Sequence, residues 1–456
     1  LPNEAARERR AQLALAQTGI QPVSDHHPVD LLSAPRDNTA RAGCGDRSKS
    51  KILSIATDSP LSNPEVSSHA TLRRISLLMS TPSLLSRRDS IKSVATMGAL
   101  TLSGSRLLNA AEPSSKPLRI GVVSAAIKGK PQPRNGHIWH FAQGLHPVCD
   151  LDALKKHYPY GHKLFSNVLR NPKLNFDTLP FPDTRITHYY DADPTVALPF
   201  TEVFPGVQVA RSLDEMVKEV DAIWMGDASG LGEDHFDLVA PGLARGLPTF
   251  CDKPIGGDVS GTRKILEFAR KHDAPLMSAS CWRYEFGMEA ALRMRDSGEF
   301  GQLEHVSARL FSRSTLPGWM IYGQHPVWAV VTLMGAGVDA VSLYEYKDTI
   351  HGIITYADRY PCHVWFGQPY EKFEYDRTDL YFKKKLHTFT PSIEGSFDHG
   401  YHYQMFRMAA TFREMVRTRK EPVPHQEILE VTAIVHAAAK SLTEKSRLVK
   451  LAEVLG

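Results

Sequence analysis

The chain has 456 residues, 42% of them hydrophobic, and a formal net charge of +4. That is room for two or three domains of ordinary globular composition. The excess charge sits in residues 1–116, where 15 Lys/Arg face 10 Asp/Glu; the remainder holds 39 against 40, which leaves no basic face for a nucleic acid.

The first 78 residues are rich in Ser, Arg and Pro, with no sustained apolar period. They read as a disordered segment or as sequence upstream of the true translation start, since the first methionine is Met79. Ser86-Arg87-Arg88-Asp89-Ser90-Ile91-Lys92 follows, then an uncharged, mildly apolar run from Ser93 to Ser105 and the small residues Ala110 and Ala111. Residues 79–111 thus resemble a twin-arginine export signal, although such signals usually carry Phe where Ser90 stands. The expectation is export of a folded protein by that route, to the periplasm or another extracytoplasmic space. The apolar run is too short to span a membrane.

From Pro117 the texture changes. Leu118–Ser124 is a short apolar run of the kind a buried parallel strand makes. Similar runs recur at Arg185–Tyr190, Ala222–Met225, Pro248–Cys251 and Pro275–Ser278, with helical-period segments at Ser212–Val220, Asp234–Arg245 and Ser260–His272. Alternating strand and helix predict an α/β domain over 117–280, a Rossmann-like doubly wound parallel sheet that binds ligands at the carboxyl ends of its strands. A longer insertion, Leu145–Thr184, separates the first two strands. Residues 281–456 carry longer strand-like stretches at Leu303–Ser312, Val341–Tyr346, Gly352–Tyr356, Cys362–Phe366 and Leu380–Thr388. Helices near Tyr401–Arg417 and His425–Leu442 close the chain, which predicts an α+β domain with a largely antiparallel open sheet.

The loop after the first strand lacks the usual G-x-G-x-x-G. Ser124, Ala125 and Ala126 stand where glycines would let the backbone approach a pyrophosphate, followed by Lys128, Lys130 and Arg134. Read by itself, the stretch is either a dinucleotide loop or an ordinary strand-to-helix connection. Asp191 or Asp193, just past the second strand, is placed to hold a ribose. Five scattered cysteines show no C-x-x-C spacing, and Asp398, His399 and His402 lack a further ligand to complete a metal geometry, so no metal is expected.

The element order around Asp221-Ala222-Ile223-Trp224-Met225-Gly226-Asp227, Asp234-His235, Cys251-Asp252-Lys253-Pro254, Trp282-Arg283-Tyr284 and Asp296–Leu303 resembles the Gfo/Idh/MocA dehydrogenases, from about Leu118 to the C-terminus. In that family a Glu-Lys-Pro or Asp-Lys-Pro triplet ends the fifth strand. The resemblance implies NAD or NADP as cofactor, bound by Ser124, Ala125, Ala126, Asp191, Asp193, Asp227, His235, Asp252, Lys253, Trp282 and Arg283. It also implies a catalytic or substrate-orienting role for Lys253. An ammonium there can polarise or protonate a substrate oxygen while hydride moves.

The family's second catalytic group is a histidine, matched here by His325, with Tyr322 beside it. The position four before it, where the family often has Asp, is Ile321, and Trp328 replaces the Glu found in a related subset. His325 is therefore either an acid/base group or a hydrogen-bonded helix-cap histidine.

Taken together these features predict an NAD(P)-dependent oxidoreductase acting on a sugar, cyclitol or related carbohydrate, its cofactor held tightly enough to be exported with it. A homo-oligomer through the second domain's sheet is expected. The alternatives are an NAD-retaining glycoside lyase or hydrolase and a non-catalytic carbohydrate-binding descendant.

Overall fold

Short apolar runs that bury both faces have one stable use, the interior of a parallel sheet covered by helices on each side. The computed structural model describes residues 116–124, 137–159, 161–162, 181–227, 230–311, 315–367, 376–390 and 397–456, all within one compact unit. The export-like segment, Ala125, Ala126 and the basic loop lie outside these residues. The first sheet runs β3 (Gln208–Val209), β2 (Thr184–Tyr190), β1 (Leu118–Val123), β4 (Ala222–Met225), β5 (Thr249–Cys251), β6 (Leu276–Met277), all pairs parallel. This 3-2-1-4-5-6 order places the topological switch point between β1 and β4.

Helices α1 (Ile138–Leu145), α2 (Leu151–His157), α3 (Pro194–Val203), α4 (Leu213–Glu219), α5 (His235–Ala244) and α6 (Val259–Lys271) connect these strands. Trp224 is fully buried, stacked on Phe250 at 4.1 Å and against Phe141 at 4.3 Å. Asp221, one of the residues that carry the family resemblance, works at the opposite end of the strands from the ligand crevice. It accepts two hydrogen bonds from the Arg119 side chain and one from its backbone N–H, and so ties β1 to β4.

The second domain opens with a 3-10 turn (Cys281–Tyr284) and α7 (Phe286–Ser297), then β7 (Leu303–Phe311), α8 (Leu316–Tyr322), α9 (Gln324–Met334), β8 (Val338–Tyr346), β9 (Thr349–Tyr356), β10 (Cys362–Gly367), β11 (Arg377–Phe382) and β12 (Lys385–Phe389). It ends with α10 (Phe397–Thr418), α11 (His425–Thr443), β13 (Val449–Lys450) and α12 (Ala452–Leu455). The seven strands follow the order β12-β11-β7-β10-β9-β8-β13, antiparallel except for β7 with β10. The run expected as one strand over Leu380–Thr388 is a hairpin, β11 and β12, turning at Lys383-Lys384.

Helix α10 returns to the first domain. Phe412 meets Trp224 edge-on at 4.9 Å, Phe406 stacks on Phe181, and Arg413 pairs with Asp183 at 2.6 Å. Helix α11 is pinned to the second sheet by Glu430, whose carboxylate accepts the backbone N–H of Gly337 at 2.8 Å and of Val338 at 2.9 Å. Among the described residues no helix is long and apolar enough to cross a membrane.

Candidate active site

The carboxyl ends of the first sheet present a row of polar groups to one crevice. Ser124 follows β1, Asp191 follows β2, Asp227 follows β4, Asp252 and Lys253 follow β5, and Ser280 follows β6; all six are buried. The backbone braces them in series. His137 donates its N–H to Gly226 O, Gly226 to Val123 O, and Asp252 to Met225 O. Gly226 has to be small, because a Cβ there would lie 2.9 Å from the Ile138 side chain and 3.1 Å from its nitrogen.

Asp252 is the hub. Its Oδ1 accepts the Lys253 backbone N–H at 2.7 Å, and its Oδ2 lies 2.7 Å from His137 Nδ1. The Lys253 side chain extends to the second domain, with Nζ 3.5 Å from Ile321 O and 5.2 Å from the centre of the Tyr322 ring. Burial lowers the Lys253 pKa and the Asp252 carboxylate opposes that shift. Tyr322 is itself 44% exposed, so its ring forms an open wall of the crevice.

His325 stands beside this pair at the start of α9. Its ring stacks near Tyr322 at 6.3 Å and faces Trp282 at 6.1 Å. Nδ1 lies 2.6 Å from Ser280 Oγ, which also accepts the Trp282 backbone N–H. With that oxygen already accepting, the network favours the Ser280 hydroxyl as donor to Nδ1, which assigns the imidazole proton to Nε2. Burial, with Lys253 and His137 nearby, holds the His325 pKa well below its usual value. A neutral, donor-bearing His325 is suited to hydrogen-bond a substrate oxygen, and poorly suited to accept its proton.

The cofactor candidates divide. Among the described residues Ser124 Oγ has no hydrogen-bond partner, although it is fully buried at the end of β1, beside the switch point, as a group awaiting a ligand would be. Asp191 accepts from Asp193 N at 3.0 Å and Tyr189 OH at 3.3 Å, and its place at the end of β2 suits a ribose. Asp193 is spent otherwise: its Oδ1 caps α3 through the Thr195 N–H and hydroxyl. Arg283 is spent too, held by Glu427 at 2.7 Å and Thr332 at 3.0 Å, while Trp282 is buried against the His325 ring. Asp227, Asp234 and His235 bring one ligand atom each within 4.8 Å of one another, and among the described residues the buried His235 Nε2 has no partner. Ser280, Asp252's link to His137, and the Ile321 carbonyl under Lys253 were not singled out by sequence reasoning.

Below the crevice Glu285 caps α7 by accepting the Met288 N–H at 2.9 Å. Burial pushes its carboxyl up to about 8. The folded state therefore binds a proton that the unfolded chain has released between about pH 4.5 and pH 8, so stability falls as pH rises through that window. Glu285→Gln keeps the cap and removes the slope. Its advantage over the parent in thermal unfolding is expected to grow, on the order of 2–4 kcal/mol, from about pH 5 to about pH 8. A constant difference across that range would refute the assignment.

A doubly wound sheet with a buried, unpaired hydroxyl at its switch point, and a lysine at the end of β5 reaching the second domain, is the architecture of a two-domain dinucleotide-binding α/β protein. Residues 169–280 match the family model described as "Oxidoreductase family, NAD-binding Rossmann fold". Over these residues the first domain thus resembles the NAD-binding Rossmann domain of the Gfo/Idh/MocA oxidoreductases. An inositol 2-dehydrogenase of Serratia proteamaculans is 32% identical over 72 residues, 16% of this chain and 21% of that protein. One from Corynebacterium glutamicum is 26% identical over 121 residues, 26% and 35% respectively. The chain thus matches about a fifth to a third of the length of these relatives.

Both domains have the fold of a putative myo-inositol dehydrogenase from Sinorhizobium meliloti (TM-score 0.55, 17% identity, covering 74% of this chain and 100% of that one). They also match scyllo-inositol dehydrogenase from Lactobacillus casei, solved with NAD(H) and scyllo-inositol (TM-score 0.56, 14% identity, 74% and 100%).

Proposed function

We propose that the protein is an NAD(P)-dependent oxidoreductase that interconverts a cyclitol, or a closely related polyol ring, and its ketone. The observation that carries this reading is the placement of Lys253. The end of β5 delivers a buried amine to the crevice, against an open aromatic wall at Tyr322 and beside the proton-bearing His325. Ser124 and Asp191 are the residues that would hold the dinucleotide. Bound there, it supplies the hydride acceptor. Lys253 and His325 would polarise the substrate oxygen, and Tyr322 would flank the ring. The inositol dehydrogenases among its relatives and fold neighbours support the cyclitol class.

The test is mass spectrometry of the small molecules released from natively purified protein, followed by nicotinamide absorbance on adding myo- or scyllo-inositol. Bound NAD or NADP that changes redox state with a cyclitol is the expected result. Protein that neither retains nor binds a dinucleotide would overturn the reading in favour of a binding descendant. Bound dinucleotide with no net redox change would favour the lyase-like alternative.

A second copy of the chain is the partner we propose for the outer face of the second sheet. Tyr344, His351, Trp365, Arg309 and Arg377 form one cross-strand row over five strands, with Arg309 5.1 Å over Trp365, and Ile353, Tyr381 and Leu386 are exposed on the same face. Export rests on the Ser86–Lys92 pattern. Replacing Arg87 and Arg88 together by Lys is expected to leave full-length precursor in the cytoplasm, read by fractionation. Processed protein outside the cytoplasm despite the change would refute it.

A further inference from the structure

Oxidation of an alcohol needs a proton acceptor as well as a hydride acceptor, and the two expected catalytic side chains fill that role poorly. Burial lowers the Lys253 pKa, but the Asp252 carboxylate beside it opposes that shift, and its Nζ is already committed as a donor to Ile321 O. His325 has its Nδ1 committed to Ser280, and the residue one turn earlier is Ile321, which offers a backbone carbonyl to Lys253 but no carboxylate to His325.

A carboxylate-supported imidazole exists on the other wall. His137 opens α1, where its side chain makes no cap hydrogen bond, and its Nδ1 lies 2.7 Å from Asp252 Oδ2. The Asp252 side chain is 3% exposed and that of His137 26%, so the carboxylate is enclosed and the imidazole partly open. Asp252 is itself fixed by the Lys253 N–H on its other oxygen. A carboxylate at Nδ1 keeps the proton there and leaves Nε2 as the acceptor, the arrangement that suits a general base. His137 and Lys253 are both close enough to His325 to influence its protonation.

We propose that His137, oriented by Asp252, is the proton acceptor of the reaction, so that the acid–histidine pair missing from α8–α9 is rebuilt across the first domain between α1 and β5. This rests on the oxidoreductase reading above. The substrate O–H bond breaks and its proton passes to His137 Nε2. The freed pair becomes the second bond of the ketone C=O, while the C–H pair leaves as hydride to the oxidised nicotinamide, which is reduced. Lys253 stabilises the charge that builds on the oxygen in between. In the reverse direction the His137 imidazolium returns the proton. Asp252 is a positioning residue, since it acts through His137.

The experiment uses the full chain with its dinucleotide, in the variants His137→Ala, His137→Gln and Asp252→Asn. His137→Ala is expected to lower cyclitol turnover about 10²–10⁴-fold with unchanged dinucleotide content, and added imidazole should restore part of the loss. Asp252→Asn should lower turnover less and leave KM nearly unchanged. A second readout does not depend on activity: the far-downfield proton resonance of an imidazole N–H bonded to a carboxylate should be present in the parent and absent from His137→Gln and Asp252→Asn. Parental turnover in His137→Ala would overturn the proposal, as would a loss that imidazole cannot rescue. A parent that binds no dinucleotide and oxidises no cyclitol defeats the functional reading instead. In that case absence of the resonance from the parent also overturns the pairing of His137 with Asp252.

Discussion

Lys253→Met is expected to lower turnover about 10²–10⁴-fold while the protein stays folded and keeps its dinucleotide. Methionine reproduces the length and apolar stem of lysine, and Lys253 is 5% exposed, so its stem is already packed. What is lost is the charge at the end of β5. That charge sits 3.5 Å from Ile321 O and over the Tyr322 ring, on the substrate side of the crevice and away from Ser124 and Asp191, so cofactor retention should hardly change. A buried cation is costly to desolvate, so its removal is not expected to lower the unfolding temperature. His325→Gln is the companion. An amide can donate the hydrogen bond assigned to Nε2, so its loss of turnover should be smaller than that of Lys253→Met. A Lys253→Met protein with parental turnover would make the Asp-Lys-Pro segment structural and remove the main support for catalysis.

How far the sequence carried these conclusions depends on the range of each interaction. The doubly wound sheet was legible because each strand is a local apolar run and each crossover a local helical period. Asp252-Lys253-Pro254 was legible because its meaning lies in its place at the end of β5, which those runs define. The pairing of His137 with Asp252 was not, since 115 residues separate them and only the parallel order of β1, β4 and β5 brings them together. The same holds for Arg283, whose partner Glu427 is 144 residues away on α11.

Two misreadings had local causes. Asp193-Pro194-Thr195 is a helix-start pattern, an N-cap followed by Pro, and the structure uses Asp193 in that way. The β11–β12 hairpin turns at Lys383-Lys384 without the Gly, Asn or Pro that usually signals a turn, so it read as one strand.

Gly232→Ala is expected to damage activity through the backbone behind Lys253. Gly232 lies in the connection from β4 to α5 with φ of 88°, and a Cβ there would stand 2.3 Å from Pro254 O and 3.1 Å from Gly256 N. Those are main-chain atoms of the segment immediately after Lys253, so relief has to come from shifting that segment or the β4–α5 connection. Gly206 is the control, with a φ of 91° and nothing within 4 Å of the added carbon. Both alanines carry the cost of a left-handed conformation, roughly 1–2 kcal/mol. Only Gly232→Ala adds the clash, and a displacement of about 1 Å at a reacting group can cost on the order of 10²-fold in rate. Thermal unfolding should therefore show both variants destabilised, Gly232→Ala more so, whereas turnover should fall about 10²-fold in Gly232→Ala and stay near the parent in Gly206→Ala. Equal turnover in the two would mean that the Lys253–Pro254 segment does not need this support to hold the lysine in the crevice.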